Sequence, residues 1–135
     1  MSNEIEARRE LCKYIRSTKD KIQVTGGAYL NQNKCHRNAV HFARKHNEDK
    51  IALVMCTDSS DWVYCHFVNV NKEGEYIDNT MGTFTEYDGE DYYLIKTLDR
   101  SEFHEVGLIF NNYIQEAKKH LKWWTRVKLG KGRVC

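Results

Sequence analysis

Trp62-Val63-Tyr64-Cys65-His66-Phe67-Val68-Asn69-Val70, then Asn71-Lys72-Glu73-Gly74-Glu75, then Tyr76-Ile77-Asp78-Asn79-Thr80: the fold turns on how this stretch pairs with itself. The first segment is rich in aromatic and β-branched residues, which fit a half-buried pleated surface, so it reads as a strand. Side chains alternate across a strand. Trp62, Tyr64, His66, Val68 and Val70 therefore share one face, and Val63, Cys65, Phe67 and Asn69 the other. A three-residue loop, Lys72-Glu73-Gly74, with glycine at the left-handed third position, is a common hairpin connection. It pairs Asn71 with Glu75, hence Val68 with Asp78 and His66 with Thr80. In that register His66 and Asp78 are diagonal neighbours on one face, roughly 7–8 Å apart at Cα and within reach of each other's side chains. A two-residue turn with Asn71 opposite Gly74 puts them on opposite faces. The glycine position favours the longer loop.

Working outward, Ile51-Ala52-Leu53-Val54-Met55-Cys56 is a short continuous apolar run, the pattern of a central strand covered on both faces. Asp58-Ser59-Ser60-Asp61 turns the chain between the two strands. Before them, Cys35, Ala39, Phe42 and Ala43 recur at helical spacing, with Arg37, His41, Arg44 and Lys45 on the other side. This helix runs to about Lys45–His46, and Asn33 is a suitable N-cap, which places Cys35 in the first turn. Asn3 and Glu6 suit a capping box for a helix ending near Ser17–Lys19, and Gly26-Gly27 breaks the chain after it. Tyr92 to Leu98 reads as another strand. Val106, Ile109, Phe110, Tyr113, Ile114, Ala117, Leu121 and Trp124 then form one apolar helical stripe capped by Asp99 or Ser101. The expectation is a single α+β domain over residues 1–135, with a central antiparallel sheet of about four strands and the Cys35 helix packed on it. Its parts are an N-terminal helix in 1–25, the cysteine helix and sheet core in 30–98, a C-terminal helix in 100–129, and a frayed tail in 130–135.

The chain of 135 residues, 12% aromatic and without proline, is long enough for one real core and too rich in large apolar side chains for a disordered segment. It contains no run of 18 apolar residues, and its N-terminus lacks the apolar centre of a signal peptide. Five cysteines at irregular spacings suggest no disulfide framework, so the expectation is a cytoplasmic protein with reduced thiols. The net charge of +2 conceals a division: Lys118 to Cys135 holds seven basic and no acidic residues, leaving 14 basic and 19 acidic residues in the rest. Such a basic tail either contacts nucleic acid or neutralises its own acidic domain.

The chemistry centres on Cys35. At a helix start, the unpaired amides and the positive end of the helix dipole favour an anion, and a nucleophilic cysteine must become a thiolate. Taken alone, a cysteine is more often a small buried residue, a histidine such as His66 more often a hydrogen-bonded structural group, and Asp78 an ordinary aspartate near a turn. Together they carry a resemblance. A cysteine on a helix start, a histidine on one strand and an aspartate on the next is the chain order of papain-like and transglutaminase-like thiol enzymes. Cys35-His36-Arg37-Asn38-Ala39, His66-Phe67-Val68-Asn69 and Tyr76-Ile77-Asp78-Asn79-Thr80 also resemble short motifs in small phage and bacterial proteins of this type, over roughly residues 30–90. The resemblance implies a papain-like or transglutaminase-like fold in the cytoplasm of a bacterium or phage-infected host. It also implies acyl transfer on a protein or peptide: amide or isopeptide hydrolysis, glutamine deamidation, or transfer to an amine. Cys35 is then the nucleophile, His66 the proton carrier and Asp78 the group that orients the imidazole, with His66 and Asp78 projecting from one sheet face toward the N-terminal end of the Cys35 helix. Papain-like enzymes place an oxyanion glutamine some six residues before the cysteine. Here that position is Tyr29, so the oxyanion donors are sought in Gln32, Asn31 and Asn33.

No cofactor motif appears, and neither Cys-x-x-Cys nor His-x-x-x-His occurs, so no metal is expected. Cys65 and His66, being adjacent on a strand, point to opposite faces and do not make a zinc pair. The rival class is a non-catalytic phage or bacterial binding protein. Its nucleic-acid contacts would come from Lys118, Lys119, Lys122 and Arg126, with Trp123 and Trp124 among them.

Overall fold

The computed structural model describes residues 3–27, 35–80 and 90–119. Helix α1 (Asn3–Thr18) leads into two short strands, β1 (Asp20–Ile22) and β2 (Val24–Gly26). Helix α2 (Cys35–Lys45), strands β3 (Lys50–Thr57), β4 (Val63–Val70), β5 (Tyr76–Asp78) and β6 (Asp91–Asp99) follow. A 3-10 segment (Arg100–Glu105) then enters helix α3 (Val106–Lys118). The molecule is α+β.

The sheet departs from the expected four antiparallel strands. Among the described residues it has six, in the order β1-β6-β3-β4-β5-β2, and it is mixed, because β2 runs parallel to β5 while the other pairs are antiparallel. The two added strands span residues 20–26, directly after the first helix, which ends at Thr18. They lie on opposite edges of the sheet, yet Gln23 alone separates them in the chain. Two peptide units span at most about 7 Å. The edges therefore approach each other at that point, and the sheet curls into a barrel-like wall.

The wall has two buried faces. Outside, α1 packs Leu11, Cys12 and Ile15 against Met55, Val63 and Cys65, and α2 packs Ala39 and Ala43 against Ile51, Leu53 and Phe67. Phe110 and Tyr113 of α3 join both groups. Inside lie Val24, Val54, Cys56, Tyr64, Val68 and Tyr92. Burial on both sides explains the nearly unbroken apolar sequence of β3, whose residues from Ile51 to Thr57 are all buried. The C-terminal helix starts later than expected: Glu102 accepts a bond from the Asp99 amide at 3.1 Å and opens a 3-10 turn, and the α-helix proper begins at Val106.

The hairpin has the register derived from the glycine. Asn69 pairs with Ile77 and Val70 with Tyr76, and the Asn71 amide donates to the Glu75 carbonyl at 3.0 Å. Gly74 has φ of +81°, the left-handed conformation that a side chain disfavours. Asn71 Oδ1 also accepts from the Glu73 and Glu75 amides, closing the loop.

Candidate functional site

The three sequence motifs are joined pairwise by side-chain bonds that gather at the end of β5. On the inner face, Nε2 of His66 lies 2.8 Å from Oδ2 of Asp78. The hydroxyl of Tyr92 donates to the same oxygen at 2.8 Å, and the Thr80 amide donates to Oδ1 at 3.0 Å. His66 is 3% and Asp78 0% exposed, so these bonds satisfy a carboxylate that burial alone would make costly. Burial also drives the phenols of Tyr92 and Tyr64 well up from their ordinary range, which keeps both as hydroxyl donors. Tyr64 is bonded to Glu90, and its ring meets His66 edge-on at 6.0 Å between centroids. With a carboxylate opposite it, Nε2 carries the ring proton toward Asp78. Nδ1 is then the nitrogen that can take a proton from another group.

On the outer face the same two motifs are joined again. Asn79 Nδ2 donates to Asn69 Oδ1 at 2.8 Å, and Asn69 Nδ2 donates to the Ala39 carbonyl of α2 at 2.8 Å. The helix motif is attached through Asn38, whose Nδ2 donates to Thr80 Oγ1 at 3.0 Å. His66 with Asp78, and Asn69 with Asn79, are both diagonal pairs of the hairpin register, one on each side of the wall. A strand of only three residues is thereby held from both faces.

Cys35 opens α2 and is fully buried in the outer layer, in the apolar group that includes Ala39 and Phe67. It is disulfide-bonded, whereas Cys12, Cys56 and Cys65 are free thiols. The expectation of reduced thiols throughout is therefore corrected at Cys35. The facing of the helix is corrected as well: Phe67 and Asn69 face α2, while His66 and Asp78 point into the curled sheet. His66 and Asp78 are brought together, and Cys35 lies on the other side of the wall. What links the two sides is Thr80, just beyond the end of β5, which holds Asp78 through its amide and Asn38 through its hydroxyl.

The oxyanion candidates Gln32, Asn31 and Asn33 lie outside the described residues, as do Lys122 and Arg126. Lys118 ends α3 without a described side chain, and Lys119 is exposed. Among the described residues, no group of three or more His, Cys, Asp or Glu side chains is placed to hold a metal ion, and no helix is long and apolar enough to cross a membrane. Reasoning from sequence missed Tyr92, Asn69 and Asn79. The diagonal arithmetic that joins His66 to Asp78 also joins Asn69 to Asn79, so that pair was within reach. Tyr92 was not, because it depends on how β6 lies against β3.

Gly27 shows how tightly this corner is packed. Its amide donates to the Asp78 carbonyl at 3.0 Å. A Cβ there would fall far inside contact distance of Asn79 Oδ1 and 2.6 Å from Cγ2 of Ile77. Gly27→Ala is expected to destabilise by about 1–3 kcal/mol, the usual range for overpacking, as read from urea unfolding. A change below about 0.5 kcal/mol would mean that Asn79 moves aside without loss.

No family model, no curated protein and no solved structure matches this chain.

Proposed function

We propose that this protein is a thiol-dependent acyl-transfer enzyme of papain-like or transglutaminase-like type, with Cys35 as nucleophile, His66 as proton carrier and Asp78 as orienting group. The observation that carries it is the His66–Asp78 pair, 2.8 Å apart and buried, with Thr80 bonded both to Asp78 and to the helix that begins at Cys35. The active form is the reduced one. A dithiol reductant takes the disulfide at Cys35 to thiols and is itself oxidised to a disulfide, as the cytoplasm of a bacterium or phage-infected host provides. The released thiol has to reach Nδ1 of His66 around the end of β5, on the side to which Asn38 already ties the first turn of α2.

From there the chemistry follows from the residues. Nδ1 takes the thiol proton, and the thiolate attacks an acyl carbon of a protein or peptide amide. Collapse of the tetrahedral adduct breaks the C–N bond, and the leaving amine takes the proton back from His66. Water or an amine then attacks the Cys35 thioester, which gives hydrolysis, deamidation or transfer.

The second reading is a binding protein without catalysis, in which the disulfide at Cys35 and the buried dyad hold the wall together. The disulfide itself favours it. Nucleic acid would be its partner through the basic 118–133 segment.

One experiment separates the two. After dithiol reduction, a limiting dose of iodoacetamide at pH ~6 should label Cys35 first. A helix N-terminus lowers a cysteine's pKa, and an imidazolium brought beside the thiol lowers it further, into the range ~3.5–7.5. Burial pushes the Cys12 thiol up to about 12 and drives those of Cys56 and Cys65 up as well. His66→Ala should slow Cys35 labelling by about tenfold, since the loss of thiolate is partly offset by the greater nucleophilicity of a more basic thiol. Peptide mapping reads all five cysteines at once. A reduced Cys35 that reacts no faster than the others, or a rate indifferent to His66→Ala, would transfer the protein to the binding class.

A further inference from the structure

The oxygen of Asp78 that meets His66 is shared. Oδ2 stands 2.8 Å from Nε2 of His66 and 2.8 Å from the Tyr92 hydroxyl, while Oδ1 accepts the Thr80 amide. The Thr80 amide anchors Oδ1, and the Tyr92 hydroxyl adds a bond on Oδ2, so the carboxylate is held at both oxygens and the imidazole meets Oδ2 in one orientation. Tyr92 projects from β6, two strands away from His66, and is itself 3% exposed. Its ring stands 6.3 Å from that of His66, so the same side chain packs beside the imidazole and bonds its partner.

We propose that Tyr92 is the positioning residue of this site: its hydroxyl fixes the Asp78 carboxylate so that Oδ2 meets Nε2 of His66 in one orientation. The proposal rests on the reading of His66 as the proton carrier, and it assigns a role to a residue outside all three sequence motifs. Tyr92 touches neither the thiol nor the acyl group in this scheme; it acts through Asp78. Among the described residues, the other titratable groups on this face are Cys56 of β3, Tyr64 of β4, Tyr76 of β5 and Glu90 ahead of β6. The bond from Tyr64 to Glu90 leaves the Asp78 oxygen to Tyr92.

Two donors on one oxygen compete, because each weakens the acceptor for the other. The test uses that competition in the full chain under reducing conditions. Proton NMR of the His66 ring reads the Nε2–H resonance in the wild type, in Tyr92→Phe and in Tyr92→3-fluorotyrosine. Loss of the hydroxyl should strengthen the remaining His66–Asp78 bond and move that resonance downfield. The fluorinated phenol is nearly isosteric but a stronger donor, so it should move the resonance upfield. Alkylation of Cys35 at pH ~6 should slow about three- to tenfold in Tyr92→Phe, the change expected from one ordinary hydrogen bond, and stay near wild type in the fluorinated variant.

A residue that merely fills space would lower the melting temperature in Tyr92→Phe and leave the resonance where it was, and that result overturns the proposal. Should Tyr92→Phe not fold, the upfield shift in the fluorinated protein decides alone, and its absence overturns the proposal equally. Shifts of opposite sign with unchanged Cys35 alkylation would keep Tyr92 as the group that positions the dyad and remove Cys35 from the reaction. The failure of this inference is therefore distinct from failure of the thiol reading.

Discussion

Asp78→Ala is expected to lower the unfolding free energy by about 3–5 kcal/mol, because it removes a fully buried carboxylate that several buried donors share. The side chain is fully buried, and three donors converge on it: the Tyr92 hydroxyl, the Thr80 amide and Nε2 of His66. Truncation leaves all three inside a wall that water does not easily enter. An unsatisfied buried donor costs about 1–3 kcal/mol, and the three costs do not simply add because the cavity relaxes. Asp78→Asn is the instructive comparison. It keeps the shape and one acceptor oxygen but turns an NH2 toward at least one donor, so its cost should fall near ~2 kcal/mol. Urea unfolding of the two variants, read at constant m-value, gives both numbers. A loss below about 1 kcal/mol for Asp78→Ala would show that the dyad contributes little to the folded state, and the buried network would need another explanation.

What the sequence revealed, and what it hid, follows from the range over which each feature is determined. The hairpin register was legible because one local fact decides it: Gly74 takes a left-handed φ that suits the third position of a three-residue loop. His66 and Asp78 then follow by counting. The face presented to α2 was not legible. Both faces of β4 carry large apolar residues, Tyr64 and Val68 on one and Val63 and Phe67 on the other, and both are buried. Alternation tells which residues share a face, and only packing tells which face the helix takes. The sixfold sheet was hidden for a related reason. The strands Asp20–Ile22 and Val24–Gly26 have three residues each, too few to establish a period, and their partners β6 and β5 are far along the chain. The disulfide at Cys35 depends on tertiary placement, which irregular cysteine spacing does not encode.

Asn69→Ala should have the second-largest effect, about 2–4 kcal/mol, and it should grow with pH. Asn69 is 1% exposed and joins three elements on the outer face of the wall. Its amide nitrogen donates to the Ala39 carbonyl and its oxygen accepts from Asn79. Removing it takes a second bond from a helix carbonyl, takes the acceptor from the buried Asn79 amide and leaves a cavity beneath α2, which together set that range. The pH dependence comes from Glu48, buried at the turn from α2 into β3, with its Oε1 lacking a hydrogen-bond partner among the described residues. Burial pushes the Glu48 carboxyl up from its ordinary range, while His46, Lys72 and the Asn69 amide pull it back down. A carboxyl raised on folding adds stability that is fully present below its unfolded value, near ~4.3, and is lost as pH rises through the folded one. Without Asn69 one of the groups that favours the ionised form is gone, so the folded value rises further and the loss at neutral pH deepens. The destabilisation by Asn69→Ala should therefore be smaller at pH ~4 than at pH ~7, and Glu48→Gln in the same background should flatten the difference. A penalty that is independent of pH in both backgrounds would separate Glu48 from this network and leave Asn69 a purely local tie between α2 and the hairpin.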